Sequence, residues 1–184
     1  MASRGGPHVR ARHRSWPRVG TIVAICALLI ACRRVPHDAT VIGFEGVGLI
    51  RIGLAPDEVE RRVGEKLVLE GIAAPTDSCY MAHFASKPTL QIMVEGGRLV
   101  RVETGDARYK TSQGVRMGDS PSIALEKYGE LAHLEPDKYD PNGHDVVIRS
   151  KDGKWGMVMY ISEERVIAIQ AGAEPAAEYV EHCL

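Results

Sequence analysis

The chain has 184 residues and carries 23 Lys and Arg against 24 Asp and Glu, so its formal net charge is −1 with histidine neutral. Nucleic-acid binding requires a basic patch, and none is visible beyond the N-terminal segment. About 150 residues follow that segment, which is enough chain to bury a sizeable hydrophobic core.

Residues 1–31 have the organisation of an export signal. They carry five arginines and no acidic residue, and residues 19–31 form an apolar run that only Gly20 and Thr21 interrupt. A positive stretch, a short apolar stretch and a small residue at the cleavage point are the parts of such a signal. A membrane-spanning helix needs about 20 apolar residues, so this run is too short to be one. We therefore expect residues 1–31 to be removed.

The segment Leu29-Ile30-Ala31-Cys32 resembles the lipobox of bacterial lipoproteins. In that class the cysteine sulfur receives a diacylglyceryl group, so the resemblance implies that Cys32 is lipidated and attaches the protein to a membrane. Two acyl chains satisfy the requirement for stable anchoring. The next residue is Arg33 rather than Asp, which in Gram-negative lipoproteins favours the outer membrane, facing the periplasm. An ordinary secretory signal with a chance cysteine, or an uncleaved anchor, is the alternative.

Removal of the signal changes both the charge and the cysteine inventory. Five arginines leave, so 18 Lys and Arg face 24 Asp and Glu, and the mature net charge is −6. Cys26 leaves and Cys32 is lipidated, so Cys79 and Cys183 are expected to form a disulfide in an oxidising compartment. Two free buried thiols are the alternative. Neither cysteine has the spacing of a zinc site, so no metal or other cofactor is predicted.

Residues 32–40 predict a short polar tether, and residues 41–184 predict a domain of two similar halves, about 46–107 and 112–184. Similar segments at a fixed offset indicate an internal repeat. With an offset of 65 residues, the matching pairs are Arg51 with Arg116, Gly53 with Gly118, Pro56 with Pro121 and Gly64 with Gly129.

Each half is predicted to contain a short helix after a lead-in strand, over residues 54–64 and 119–129. Both segments carry a proline near the start and a glycine at the end, which suit the first and last turns of a helix. Ser120 is a good N-cap residue for the second helix. Two turns are too short to be stable on their own, so packing must hold both helices.

Antiparallel strands are predicted after each helix. Residues 90–94 and 99–102 flank Gly96-Gly97, and two adjacent glycines are a signal for a two-residue hairpin. Further strands are predicted over residues 79–84, 145–150, 155–160 and 165–170. The expected fold class is therefore α+β, with two tandem repeats, each a short helix packed on a small antiparallel sheet.

Ile52-Gly53-Leu54, the short Glu-rich helix that follows and the stop at Gly64 resemble the β-lactamase-inhibitor-protein-like fold. Small outer-membrane lipoproteins associated with β-barrel assembly carry one such unit, and the inhibitor proteins carry two in tandem. The resemblance covers the layout of the mature domain but no functional residue. Together with the lipid anchor and the absence of a catalytic set, this layout implies a non-enzymatic protein that binds an envelope partner. Analogy with the tandem inhibitors gives the alternative, an inhibitor of a periplasmic enzyme.

The sequence contains no recognised catalytic motif, and the mature histidines are scattered. The acidic segment 135–145 offers oxygen ligands, but its spacing does not fit a Ca²⁺ loop, so a partner contact or a plain connection is the better interpretation. Trp155, Tyr80 and Tyr160 lie on predicted strands, where they are expected to serve the core or, on a concave face, to anchor a partner. A hydrolase or small-ligand carrier is the alternative function, and a deep pocket containing His144, Asp145 or Glu135 would favour it.

Overall fold

The chain folds mostly into β strands, and the computed structural model describes residues 1–2, 39–71 and 78–183. Cys32, the predicted cleavage site and most of the tether lie outside the described residues. Two eight-residue helices are present in the described part, α1 (Pro56–Val63) and α2 (Pro121–Tyr128). The strands are β1 (Val41–Gly43), β2 (Gly46–Val47), β3 (Ile50–Arg51), β4 (Leu67–Leu69), β5 (Cys79–Phe84), β6 (Lys87–Glu95), β7 (Arg98–Thr104), β8 (Lys110–Thr111), β9 (Ala132–Pro136), β10 (His144–Arg149), β11 (Trp155–Ser162) and β12 (Arg165–Ala173).

These strands form two sheets. The small sheet has the order β3-β2-β1-β8, and the large sheet has the order β4-β5-β6-β7-β12-β11-β10-β9. The predicted fold class of two helix-on-sheet repeats is therefore wrong. Strands from both predicted halves join one continuous eight-stranded sheet, because β7 pairs antiparallel with β12 from Arg101 opposite Gly172 to Thr104 opposite Ile169.

Several local elements match the sequence prediction. Gly96 and Gly97 form the turn between β6 and β7 with φ values of 57° and 74°, and strand β5 spans the predicted residues. Helix α1 ends at Gly64 in the left-handed conformation. Ser120 occupies the N-cap position of α2, but its side chain makes no cap hydrogen bond, and its Oγ instead lies 2.7 Å from Oγ of Ser122.

One face of the large sheet, the inner face, lies in the hydrophobic core. A row of directly paired residues crosses it, and all five are buried: Ile92, Val102, Ala171, Met157 and Ile148. The helices and the small sheet close this core with buried apolar side chains such as Val59, Ala124 and Ile42. Burial of apolar area at about 25 cal/mol per Å² is therefore the main stabilising contribution on this side.

The opposite face of the large sheet, the outer face, is mainly polar and is crossed by residues 174–183, which we call the C-terminal strap. The strap passes over Gly156 on β11. A Cβ atom added at Gly156 would lie 2.9 Å from the Cβ of Ala177, so the absence of a side chain there lets the strap approach the sheet.

Candidate functional site

Side chains of the outer face hold the backbone of the C-terminal strap. Nη1 of Arg101 donates to the carbonyl oxygens of Tyr179 at 2.9 Å and Ala176 at 3.4 Å. Nε2 of Gln170 donates to the carbonyl oxygens of Ala177 at 2.7 Å and Tyr179 at 3.1 Å. Arg101 is only 1% exposed, so these bonds form away from water, where an unmade bond is costly.

Ion pairs fix the strap at two further points. Nη2 of Arg149 donates to Oε2 of Glu178 at 2.6 Å, and the same guanidinium binds Glu135 on β9. The hydrogen bond and charge of Arg149 lower the pKa of Glu135, although partial burial opposes this shift. Nearer the chain end, Glu103 contacts both Nη2 of Arg101 and Nε2 of His182, each at 3.1 Å.

The end of the strap is bonded covalently to the sheet. Cys183 forms a disulfide with Cys79, the first residue of β5, and their Cα atoms are 5.5 Å apart. The expected pairing of these two cysteines is confirmed. The two cysteines are 104 residues apart in sequence, so the bond joins the end of the strap to β5, the second strand from the β4 edge of the large sheet.

A cleft of about 480 Å³ lies between the strap and the segment that joins β9 to β10. The disulfide lies at this cleft, and its walls combine apolar and charged side chains. Tyr139 is 67% exposed, and its hydroxyl donates to the carboxylate of Glu181 on the strap. The principal lining side chains are Met93, Glu95, Lys138, Tyr139, Val180 and His182.

A smaller cavity of about 150 Å³ adjoins the cleft, and Lys138 and Val180 line both. Asp145 is the most buried polar residue that lines it, at 8% exposed. Oδ1 of Asp145 accepts a hydrogen bond from the backbone N–H of Ile161 at 2.9 Å. Burial raises the pKa of Asp145 above its usual value. The other lining side chains are Glu135, Val147, Val158, Tyr160 and Glu178, together with Pro136.

A third hollow, of about 260 Å³, lies beside helix α1. Its charged side chains pair with one another: Arg61 with Asp57, and Lys66 with Glu60. The Arg61–Asp57 pair is largely exposed to water, and exposed pairs contribute little. This hollow therefore offers no buried group that could select a ligand.

The three aromatic residues predicted as binding anchors do not lie together. Tyr80 is 5% exposed and belongs to the core beneath the inner face. Trp155 is half-buried and also packs against that core. Only Tyr160 lines the smaller cavity, where its hydroxyl donates to Oε1 of Gln170 at 3.2 Å. A shared aromatic platform is therefore not formed, and a binding role for each stays a prediction.

The acidic segment forms a self-contained turn. Oδ1 of Asp137 accepts hydrogen bonds from the backbone N–H groups of Tyr139 and Asp140, both at 2.7 Å. Oδ1 of Asp140 accepts from the N–H of Asn142 at 2.9 Å. In the described part of the chain, no group of three or more His, Cys, Asp and Glu side chains is placed to hold a metal ion.

Sequence reasoning missed Arg101, Gln170 and Glu178. In Val100-Arg101-Val102 the alternation predicts that Arg101 faces away from the core, as it does, but predicts exposure to water as well. The strap causes the burial, and the segment 174–183 carries no periodic pattern that would place it on a sheet. The one short-range signal is Gly156, because a glycine inside a strand marks a close approach of another segment.

Among the described residues, no helix has the length and apolarity required to span a bilayer. No family model matches the chain, and no curated protein matches it. A solved structure to which the chain is similar is that of the uncharacterized protein yfeY from Escherichia coli. The two sequences are 13% identical, the match covers 72% of this chain and 99% of that one, and the TM-score is 0.45.

Proposed function

We propose that the protein is a non-enzymatic, lipid-anchored protein of the cell envelope that binds another envelope protein. The observation that carries the binding role is the 480 Å³ cleft between the C-terminal strap and the β9–β10 segment. The lipobox resemblance at Cys32 supports the membrane attachment. Together they describe a folded domain tethered to a membrane surface, with a preformed cleft available to a partner.

The chemistry of the cleft suits a protein partner. Tyr139 and Met93 supply an aromatic and a flexible apolar surface, while Glu95, Lys138 and His182 supply polar groups around them. Interfaces commonly combine a few aromatic or apolar anchors with a polar rim. A disulfide in one wall keeps the strap in place, which reduces the ordering cost that binding must overcome.

Three carboxylates close to the strap are paired with arginine, which suits a binding role better than catalysis by those groups. Glu135 and Glu178 share Arg149, and Glu103 is bound by Arg101. A general base must be free to take a proton from a substrate, whereas these groups are paired with guanidinium ions that hold their charge.

Membrane attachment is tested by Cys32→Ala. We expect the wild-type protein in the membrane fraction with a labelled lipid, and the variant in the aqueous fraction without one. Cys26→Ala is the matched control and should not change the fractionation. Continued attachment of Cys32→Ala would contradict the lipid anchor while leaving the binding role open to a separate test.

Partner binding is tested by placing a photo-crosslinking amino acid at Tyr139, in the cleft, and in a parallel strain at Ile167. Ile167 is a similarly exposed apolar side chain on β12 that does not line the cleft. We expect one defined crosslinked product in intact cells from position 139 and none from position 167. Absence of a specific product at 139, or the same product from both positions, would refute the cleft as the interface.

A second candidate function, a carrier of a small ligand, is favoured by one observation. The smaller cavity contains Glu135 and Asp145 together with Tyr160, as that alternative requires. His144 does not line this cavity, and its Nε2 lies 4.0 Å from Oε1 of Glu164. Binding of n-butylammonium without binding of a lysine-containing peptide would favour this function over protein binding.

A further inference from the structure

The smaller cavity contains a carboxylate whose hydrogen bonding is incomplete. Oδ1 of Asp145 accepts from the N–H of Ile161, but within residues 39–71 and 78–183 no donor contacts Oδ2. Asp145 as a whole is 8% exposed and lines the cavity, and its Oδ2 atom is open to that cavity rather than enclosed by protein. A donor bound in the cavity can therefore complete the hydrogen bonding of this carboxylate, and a positively charged donor makes the stronger bond.

The register of the sheet adds a second negative group beside it. Asp145 on β10 lies directly opposite Glu135 on β9, and both side chains line the cavity. Like charges directly opposite each other on neighbouring strands are destabilising. Arg149 binds Glu135, but it also binds Glu178, so one cation serves two carboxylates and Asp145 has no cation of its own among the described residues.

Three apolar side chains complete the cavity beside Pro136, Tyr160, Glu178 and Lys138, and Lys138 forms no ion pair with Asp145 in the described part of the chain. Val147 and Val158 of the sheet and Val180 of the strap line the cavity, and both sheet valines are buried. Its volume of about 150 Å³ exceeds the roughly 30 Å³ that one water molecule occupies in the liquid. A ligand that fits must therefore present a positive donor to Asp145 and a short hydrocarbon chain to the valines, in the way that long basic side chains bury their stems.

We propose that this cavity binds an alkylammonium group, with Asp145 as its counter-ion and the three valines around its methylene chain. The inference deepens the proposed function and rests on it, since a lysine side chain of the envelope partner is one source of this group. The cleft and the cavity share Lys138 and Val180, so a partner in the cleft lies next to the cavity. A free small amine is the other source.

The test is a titration of the purified mature protein followed by NMR. One arm uses n-butylammonium chloride, with n-butanol as the uncharged comparison. The other uses a capped pentapeptide, acetyl-Ala-Ala-Lys-Ala-Ala-amide, with norleucine in place of lysine as its comparison. We expect saturable shifts in the amide signals of Val147, Val158 and Ile161 for the charged ligands and none for the neutral ones.

Three variants test whether the ligands bind in the cavity. Asp145→Asn keeps an oxygen that can accept from Ile161 but removes the charge, and should weaken binding about tenfold or more, as expected for a hydrogen bond to a charged group. Glu126→Gln removes an equal charge from the exposed surface of α2 and should bind like the wild type. Val180→Phe fills the cavity without changing any charge and should abolish binding; its thermal unfolding shows whether the fold is intact.

Each outcome has a defined meaning. Binding of both charged ligands, lost in Asp145→Asn, supports the proposal with a lysine side chain as a fitting ligand, and binding of butylammonium alone supports it with a free amine. No binding of either ligand, or equal binding by Asp145→Asn, overturns it. The photo-crosslinking experiment at Tyr139 does not depend on this titration, so failure of the proposed partner binding is distinguishable from failure of the ammonium site.

Discussion

At the scale of single residues, the polar side chains of the outer face do more than solvate a surface. Arg101 and Gln170 are each 1% exposed and use their donors on carbonyl oxygens of the strap. Four side-chain hydrogen bonds therefore hold the backbone of the strap against the outer face of the sheet. The residues that organise the site are those that alternation places away from the core.

We predict that Arg101→Ala lowers the free energy of unfolding by about 3 kcal/mol or more. The change leaves the carbonyl oxygens of Ala176 and Tyr179 without their donor and Glu103 without its buried cation, and breaking a buried pair by removing one partner typically has this magnitude. Urea denaturation measures the change. The control is Arg116→Ala, an exposed arginine, which should change stability by less than about 0.5 kcal/mol. Equal effects would contradict the role of Arg101.

Glu174, at the start of the strap, makes stability depend on pH. Burial, with the neighbouring charge of Glu178, raises the pKa of Glu174 to about 7 from an ordinary 4.5. Between these values the folded protein holds a proton that the unfolded chain has lost. The contribution of Glu174 to stability therefore falls as pH rises through this interval and is unfavourable above it.

We accordingly predict that Glu174→Gln is more stable than the wild type at pH 8 by about 1–2 kcal/mol, a figure reduced for the partial exposure of the carboxylate. At pH 4.5 the two proteins should be nearly equal in stability. Urea denaturation at both pH values provides the measurement, with the exposed Glu163→Gln as control. A constant difference at both pH values would show that Glu174 titrates normally.

At the scale of elements, the strap is irregular in structure but is held at both of its ends. It contains one short 3-10 turn, Ala176–Glu178, that packs on β11 and β12, and its far end is bonded to β5. The segment therefore covers the outer face and forms one wall of both the cleft and the smaller cavity. Its position depends on side-chain donors and one covalent bond rather than on a strand ladder.

We predict that the double change of Cys79 and Cys183 to Ala lowers the free energy of unfolding by about 2–4 kcal/mol. Closure of a loop of about 100 residues contributes at most about 4.7 kcal/mol in the chain-entropy model, and measured values are usually lower. Denaturation of the wild type with and without a thiol reductant should give the same difference. The reductant should have no effect on the double variant, and an effect there would assign the change to another group.

At the scale of the whole molecule, the local elements were predictable and their assembly was not. Gly96-Gly97, Pro56 and Gly64 act through backbone conformation within a few residues, so hairpin and helix follow from sequence. The pairing of β7 with β12 connects residues about 70 positions apart. Nothing in the sequence of either strand shows that it pairs with the other rather than lying at an exposed edge of a sheet. The site was not predictable for the same reason. Asp145 and Tyr160 occur on predicted strands, but the position of the strap that covers them depends on contacts between residues far apart in sequence.

We predict that Gly172→Ala destabilises the protein by about 1–3 kcal/mol. An added Cβ would collide with the carbonyl oxygen of Val100 and lie 2.9 Å from Cα of Arg101, so β7 and β12 would have to separate. Gly43→Ala is the control, because its nearest neighbour would be 3.9 Å away. Thermal unfolding of both variants tests the prediction, and equal melting temperatures would show that the β7–β12 boundary can adjust.

The β7–β12 pairing also has a consequence for the order of folding. Strands β4 to β7 are neighbours in sequence and in the sheet, and so are β9 to β12, so each group can form through short loop closures. The pairing of Arg101 with Gly172 closes a far longer loop, and contacts of high sequence separation slow folding. The two groups of strands should thus reach native-like pairing early, while the central boundary of the sheet, despite being its most enclosed part, is completed late.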